Sequence, residues 1–397
     1  MLQFYSASLR IVNTKRGVHE CIESALGSLG NSANLFIYNA SIGHRFQDIL
    51  DETKRLYPLA DVVATSCAGV VGKEGVSESM KDMALMAITG DDYAIAHTDG
   101  VFGHNTYAKI FAMAQSLKAK RPNINMVYFV SSGIDINNSD SLQAFHDVFG
   151  ADITVFGATS SDNMKGAVNY QAVNDTVYEH GAFAIAFADP TLQVETKATH
   201  GFTGIDDSFV VTKSSGHIIH ELNHKPAWPE YLRYLGLPES ATCSDTLPIG
   251  GLGETLSPAA ATAYGNALIL RTVSKHDGND MYYATTCPEG TKLWLTVRDE
   301  SLIFSEMECM VSQLVTKVQD RSVVAVFHAD CLTRGRFLFN RVIKDELIAS
   351  MQTPFYSKGQ CPPWLGMYGF GEFARLDQKN MYHNYTTALS VLTRAKH

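Results

Sequence analysis

The sequence has no C-x-x-C pair, no long apolar run and no basic cluster beyond Lys118, Lys120 and Arg121. Each absence removes a class of protein. The seven cysteines are odd in number and follow no pairing rhythm. A disulfide framework is therefore not expected, and a reducing compartment is. No zinc-ribbon spacing occurs either. The most apolar stretch, Ala182 to Ala188, is far too short to cross a bilayer. Met1 to Val18 holds no signal-peptide core, so a cytoplasmic protein without membrane insertion is expected. Charged residues make up only 18%, with a net charge of -9. That balance argues against disorder and against nucleic acid as a partner, because phosphate binding needs clustered Lys and Arg. The short basic cluster, next to Pro122, reads as a helix C-terminus.

What is present is a chain of 397 residues, 45% of them hydrophobic. This is enough for about two or three domains with large cores. Leu35 to Tyr38 reads as a buried strand; Phe46, Ile49, Leu50 and Leu56 follow at helical spacing; Val62 to Ala64 reads as a strand again. The unit recurs as Met126 to Val130, a helix through Leu142, Phe145 and Phe149, and Ile153 to Phe156. It recurs once more as Val323 to Phe327, a helix over Phe337 to Ile348, and Trp364 to Phe370. First strands run into Asn39–Gly43, Ser131–Asp135 and Ala329–Cys331; second strands run into Ser66–Gly69, Gly157–Ser160 and Gly369–Gly371. Ligands of α/β sheets sit beyond the carboxyl ends of strands, so these small polar loops predict a shared cleft.

Between the units the pattern turns antiparallel. Ala182 to Ala188 with Leu192 to Ala198 reads as a hairpin, as does Met281 to Thr286 with Lys292 to Val297. Tyr264 to Val273 reads as one long strand. The expected fold class is mixed α/β (α+β): repeated strand–helix–strand units with antiparallel additions, in two pseudo-related halves. A boundary near Lys225-Pro226 divides the chain into 1–225 and 226–397.

His220-Glu-Leu-Asn-His224 matches the H-E-x-x-H of zinc proteases, but that chemistry needs one helix. Here Gly216, Asn223 and Pro226 predict a strand ending in a turn. Gly369-Phe-Gly371-Glu-Phe-Ala374 lacks the long helix of a dinucleotide fold, and Gly250-Gly-Leu-Gly253 lacks the Lys of a P-loop. His328 and His383 stand at strand ends as candidate ligands. Cys67 and Cys331 read as occupying related loops, and Arg334 as a cation able to lower the Cys331 thiol.

These residues resemble the FIST family of sensory proteins. Thr65-Ser-Cys-Ala-Gly69, Gly157-Ala-Thr-Ser-Ser-Asp162 and Gly181–Ala186 are similar to its N-terminal domain, with Ala158 in place of a usual Gly and Val71-Gly-Lys-Glu74 shifting the expected Gly-Glu. Gly201-Phe202 and Glu221–Ala227 resemble the segment leading into the second domain. Asp330-Cys331 with Arg334, Gly369-Phe-Gly-Glu372 and His383-Asn-Tyr-Thr386 resemble C-terminal signatures. The resemblance implies a small-ligand sensor rather than an enzyme. The expected ligand-binding residues are Cys67, Ser132, Asp162, Asp330, Cys331, Arg334, Gly371, Glu372, His383 and Asn384. Arg334 and Glu372 are expected to form a charge pair or to grip opposite ends of a ligand. Family members of this length include haem-binding nitric-oxide sensors that act on a histidine kinase in biofilm signalling. The resemblance thus implies haem b, with His383 or His328 as axial ligand, and a histidine kinase or other signalling protein as partner. The alternatives are an amino-acid or other metabolite sensor without haem, and a Cys/His-dependent enzyme.

Overall fold

The computed structural model describes residues 1–27, 33–335 and 341–396. The fold is mixed α/β. Its first unit runs β1 (Gln3–Arg10), α1 (Thr14–Leu26), β2 (Ala33–Ser41), α2 (Phe46–Leu56), β3 (Asp61–Cys67), a hairpin of β4 (Val70–Gly72) and β5 (Gly75–Ser77), and β6 (Asp82–Thr89). The second repeats this order: β7 (Tyr93–Thr98), α3 (Thr106–Lys120), β8 (Met126–Ser131), α4 (Asn138–Phe149), β9 (Thr154–Thr159), the hairpin β10 (Gln171–Val173) and β11 (Thr176–Tyr178), and β12 (Ala182–Phe187). The third opens with β13 (Gln193–Thr199) and then takes an insertion. This comprises β14 (Phe202–Ser215), β15 (Ile218–Leu222), β16 (Lys225–Pro226), α5 (Ala227–Leu235), α6 (Cys243–Thr246), β17 (Leu252–Thr255), α7 (Pro258–Tyr264), β18 (Leu268–Arg271), β19 (Val273–Asp277), β20 (Asp280–Tyr283) and β21 (Lys292–Arg298). It resumes with α8 (Glu300–Val318), β22 (Arg321–Cys331), α9 (Arg341–Gln352), β23 (Trp364–Gly369), the hairpin β24 (Gly371–Leu376) and β25 (Lys379–His383), and β26 (Thr387–Ala395).

The three units build three six-stranded sheets of the same order: β1-β6-β2-β3-β10-β11, β7-β12-β8-β9-β24-β25 and β13-β26-β22-β23-β4-β5. At the centre of each lies a parallel pair, β2–β3, β8–β9 or β22–β23. The hairpin of each unit leaves its own sheet and completes another. β10–β11 extends the first sheet through β3, β24–β25 the second through β9, and β4–β5 the third through β23. The units therefore exchange hairpins in a cycle. The first half of the chain carries two copies of the unit and the second half carries one, which is how the halves are related.

Strand alternation explains the layers. In β2, Leu35 and Ile37 face a central core, whereas Phe36 and Tyr38 pack outward against Val18 and Cys21 of α1 and Ile49 of α2. The outer helices are fixed by side-chain caps: Asn137 accepts from the Ser139 amide at the start of α4, and Asp299 from the Leu302 amide at α8. Inside, Phe327 of the third unit meets Tyr128 and Phe156 of the second, with ring centroids 4.9 and 5.4 Å away. A fully buried Phe contributes about 1.5–3 kcal/mol, so such contacts tie the units into one core. The insertion has a core of its own around Phe209, Trp228, Tyr231 and Leu252.

Several sequence expectations are corrected. β12 pairs with β7 and β8, whereas β13 pairs with β26; the proposed hairpin does not form because its strands belong to different units. β20 and β21 likewise join different partners, β15 with β19 and β14 with β17. Tyr264 closes α7 at a left-handed Gly265, so the long strand breaks into α7, β18 and β19. The Phe337–Ile348 helix is Arg341–Gln352 among the described residues; positions 336–340 lie outside them. The H-E-x-x-H segment is β15 plus a turn with positive φ at Asn223 and His224, as its sequence context predicts. Lys118 and Lys120 occupy the last turn of α3. All seven cysteines are free. Among the described residues no helix is long and apolar enough to cross a membrane.

Candidate functional site

A cavity of about 220 Å³ opens at the carboxyl ends of β8, β9, β22 and β23. Four strand-end loops supply Gly133 and Ile134, Met164 to Gly166, Cys331 to Thr333, and Phe370. Tyr382 and Asn384 of the third hairpin add a wall. The insertion covers the remaining side with Thr242 to Ser244, Leu247, Thr272 to Ser274 and Ala284. Larger grooves of about 440 and 590 Å³ also occur, but they lie outside these strand ends. The cleft expected from the loops therefore forms around the second and third units. Loops of the first unit do not line it.

The lining combines an apolar surface (Ile134, Met164, Leu247, Phe370) with the hydroxyls of Thr272, Ser274 and Thr333. Among the described residues, Lys165 is the only basic or acidic side chain in the lining. Asp162 holds its loop. Oδ1 accepts from the amides of Lys165 and Gly166 at 2.7 and 3.1 Å, and Oδ2 from those of Ala167 and Val168 at 2.8 and 3.3 Å. Asn384 clamps another corner, donating to the Phe370 carbonyl at 3.0 Å and accepting from the Thr272 amide at 3.3 Å. It thereby ties the insertion to the strand ends. The second strands meet beside the cavity. The Ser66 hydroxyl donates to the Ser161 carbonyl at 2.8 Å, and the Ser161 hydroxyl to the Tyr368 carbonyl at 2.7 Å.

Of the expected site residues, Cys331 and Asn384 line the cavity. Ser132 flanks Gly133 and accepts from the Ile134 amide at 3.2 Å. Gly371 adjoins Phe370; a Cβ there would come within 2.0 Å of the Tyr382 hydroxyl. Cys67 lies in the central core. It ends the second strand of unit one, whereas Cys331 ends the first strand of unit three, so the two thiols are not equivalent. Burial raises both thiols well above the ordinary cysteine value. Arg334 does not depress the Cys331 thiol, and its ion pair is with Asp330 rather than Glu372. Its Nε donates to Asp330 Oδ1 at 3.0 Å and its Nη1 to the His200 carbonyl at 3.0 Å. His328 shares that face, hydrogen-bonded to the Thr387 hydroxyl at 2.8 Å and edge-on to Trp364.

Glu372 and His383 lie on the opposite, central side. They are direct partners across the β24–β25 ladder and share the face of Ala374, a central-core residue. Both are 0% exposed. Neither carboxyl oxygen and neither ring nitrogen meets a hydrogen-bond partner. Burial, reinforced by the Asp330 charge, pushes the Glu372 carboxyl well above the usual range; the Arg334 charge, the nearby Thr386 amide and the Cys331 thiol offset only part of this. Burial, with the charges of Arg271 and His200, lowers His383 to about 3. Among the described residues no three His, Cys, Asp or Glu converge as a metal site.

Sequence reading missed Ile134, Lys165, Thr272, Thr333, Phe370 and Tyr382. Lys165 follows Asp162 by three positions, and Phe370 sits inside the Gly369–Gly371 turn, so both were within reach. Thr272 belongs to the insertion and carries no local signal.

The FIST N domain model matches residues 34–225, and the FIST C domain model matches residues 227–375. The chain belongs to the FIST family. FIST domains are associated with small-ligand sensing in signal transduction. The cavity of this FIST protein draws Ile134 and Lys165 from the first matched region and Thr272, Cys331 and Phe370 from the second. A comparison with curated proteins finds no match. Among solved structures, a cyanuric acid hydrolase described as an innovation by structural concatenation matches over 100% of both chains, at 9% identity and a TM-score of 0.35. PurLQS from Thermotoga maritima matches over 100% of this chain and 73% of that one, at 10% identity and a TM-score of 0.22. Likenesses this distant carry no argument about function.

Proposed function

We propose that the protein is a sensor of a small, partly apolar ligand, which binds in the cavity between the two FIST regions without being turned over. The observation that carries this reading is the composite wall. A ligand touching Ile134 and Lys165 on one side and Thr272 and Thr333 on the other senses the relative placement of both regions. A ligand with unequal affinity for two such placements shifts their populations, and a partner reads the altered surface. Lys165 offers an anionic substituent a counter-charge at the rim. A Cys331 thiol kept protonated by burial is a poor nucleophile, which supports binding over a Cys/His-dependent reaction.

The finer expectations rest on the family resemblance. A haem b and nitric-oxide form would need His383 or His328 as axial ligand, and neither lines the cavity. At about 220 Å³ the cavity is also small beside the roughly 300–1,000 Å³ of typical ligand pockets. A partner histidine kinase and a cytoplasmic setting with reduced thiols complete the proposal.

The test is a thermal-shift and calorimetric screen of small metabolites against the wild type and Ile134→Trp, which fills the cavity. Saturable binding lost in Ile134→Trp supports the reading. Binding untouched by that variant refutes it. Hemin forms a separate arm, in which a sharp, saturable Soret band lost on changing His383 or His328 would support the haem form instead.

A further inference from the structure

Among the described residues, two fully buried polar side chains with no hydrogen-bond partner, Glu372 and His383, lie near Cys331 of the cavity wall. Glu372 and His383 together leave four side-chain nitrogen and oxygen atoms without a partner at zero exposure. Buried polar groups are normally hydrogen-bonded, because leaving one unpaired costs free energy. Such a pair therefore asks for an occupant. Tyr382 precedes His383 in β25 and lines the cavity, so His383 points to the opposite face of the strand. Cys331 is the link: it lines the cavity, and its thiol neighbours the Glu372 carboxyl. Reaching the pair from the cavity requires displacement of the Cys331 side chain.

Resting on the ligand-sensing reading above, we infer that Glu372 and His383 form an inner subsite that takes an uncharged group carrying both a hydrogen-bond donor and an acceptor, of which a primary carboxamide is the simplest. The chemistry follows from the charge states. A neutral carboxylic acid offers one O–H donor and one carbonyl acceptor, and a neutral imidazole one donor and one acceptor. Both groups are held neutral by burial. A carboxylate would bring an unpaired charge into this interior. An ammonium offers no acceptor, and the Arg271 charge that helps to lower His383 acts equally against a second cation. A carboxamide matches both partners without adding charge, while its apolar remainder fills the space beside Ile134 and Phe370.

The experiment compares isovaleramide, isovalerate and isoamylamine, which share one apolar body, by calorimetry on the full chain. Wild type is expected to bind the amide at least about tenfold more tightly than the acid or the amine, the difference of one or two well-made buried hydrogen bonds. Glu372→Gln keeps a donor and an acceptor and is expected to retain amide binding. Glu372→Leu is expected to lose it by about the same factor. Infrared spectroscopy supplies an independent reading: a protonated-carboxyl stretch, absent from Glu372→Gln, is expected to shift when isovaleramide is added. Equal binding of the three probes, no binding of the amide to wild type, or an unmoved carboxyl band overturns the inference. Amide binding that survives Glu372→Leu but disappears in Ile134→Trp overturns the inner subsite and leaves the cavity reading standing. Binding that survives both variants removes both.

Discussion

Arg334 Nε donates to Asp330 Oδ1 at 3.0 Å, between side chains that are 0% and 1% exposed. This is a buried ion pair on the helix-covered face of the third sheet, backed by the His200 carbonyl on Nη1. Such pairs add little over an apolar replacement, but removing one partner strands the other charge. Asp330→Ala is therefore expected to cost about 3–5 kcal/mol. Urea unfolding measures this directly, and an unchanged midpoint would contradict the assignment.

The buried titratable groups set opposing pH trends. His383 and His200 are lowered from 6.5 to about 3 and about 4, in each case chiefly by burial. As pH falls below 6.5, the unfolded chain gains protons that these folded imidazoles refuse. Each histidine therefore removes about 1.4 kcal/mol per pH unit until its folded value is reached. Glu372 acts the other way. Its unfolded carboxyl ionises above about 4.5 while the folded one keeps its proton, so stability is lost as pH rises.

Glu372→Gln isolates that second trend. Its stability gain over wild type should be absent near pH 4 and should grow by about 1.4 kcal/mol per unit above 4.5, until the folded carboxyl itself ionises. Chemical denaturation at a series of pH values provides the curve. A constant difference between the two proteins would show that the carboxyl is not held protonated.

Asp162 organises the Lys165 loop through four backbone amides. Asp162→Asn removes the charge and one acceptor. A hydrogen bond to a charged group is worth about 1.5–3 kcal/mol, so a loss of at least about 2 kcal/mol is expected, together with faster amide exchange at Lys165–Val168. Exchange at wild-type rates would mean that the loop is held by other contacts.

Thiol labelling should separate the cysteines by burial. Cys309 is exposed, whereas Cys21, Cys67, Cys287 and Cys331 are buried with raised thiols. Mass spectrometry after brief treatment with a thiol reagent should find Cys309 modified and those four untouched. Rapid modification of Cys331 in the native protein would instead restore the case for nucleophilic chemistry.

Local patterning carried much of the fold. The parallel pairs and their helices were legible because buried strands read as short apolar runs and α2 repeats Phe46, Ile49 and Leu50 at helical spacing. The strands proved longer than their apolar runs. β22 continues through Asp330 to Cys331, because pairing with Thr387 and Gly369 satisfies its backbone although the side chains are polar. The paired partners were not legible. Ala182–Phe187 and Gln193–Thr199 look like a hairpin in sequence, yet each finds its neighbours 50 or more residues away in one direction or the other.

The sequence by itself determined the repeated unit, the family and the positions of the strand-end loops, since these depend on periodicity, small residues and motifs that act over a few positions. Tertiary structure decided which hairpin completes which sheet, because that exchange depends on backbone pairing between distant segments. It also decided which candidates share a surface. Asp330 and Arg334 fall on the outer face and Glu372 and His383 on the inner one, because neighbouring strand residues alternate sides and each unit's hairpin joins a different sheet.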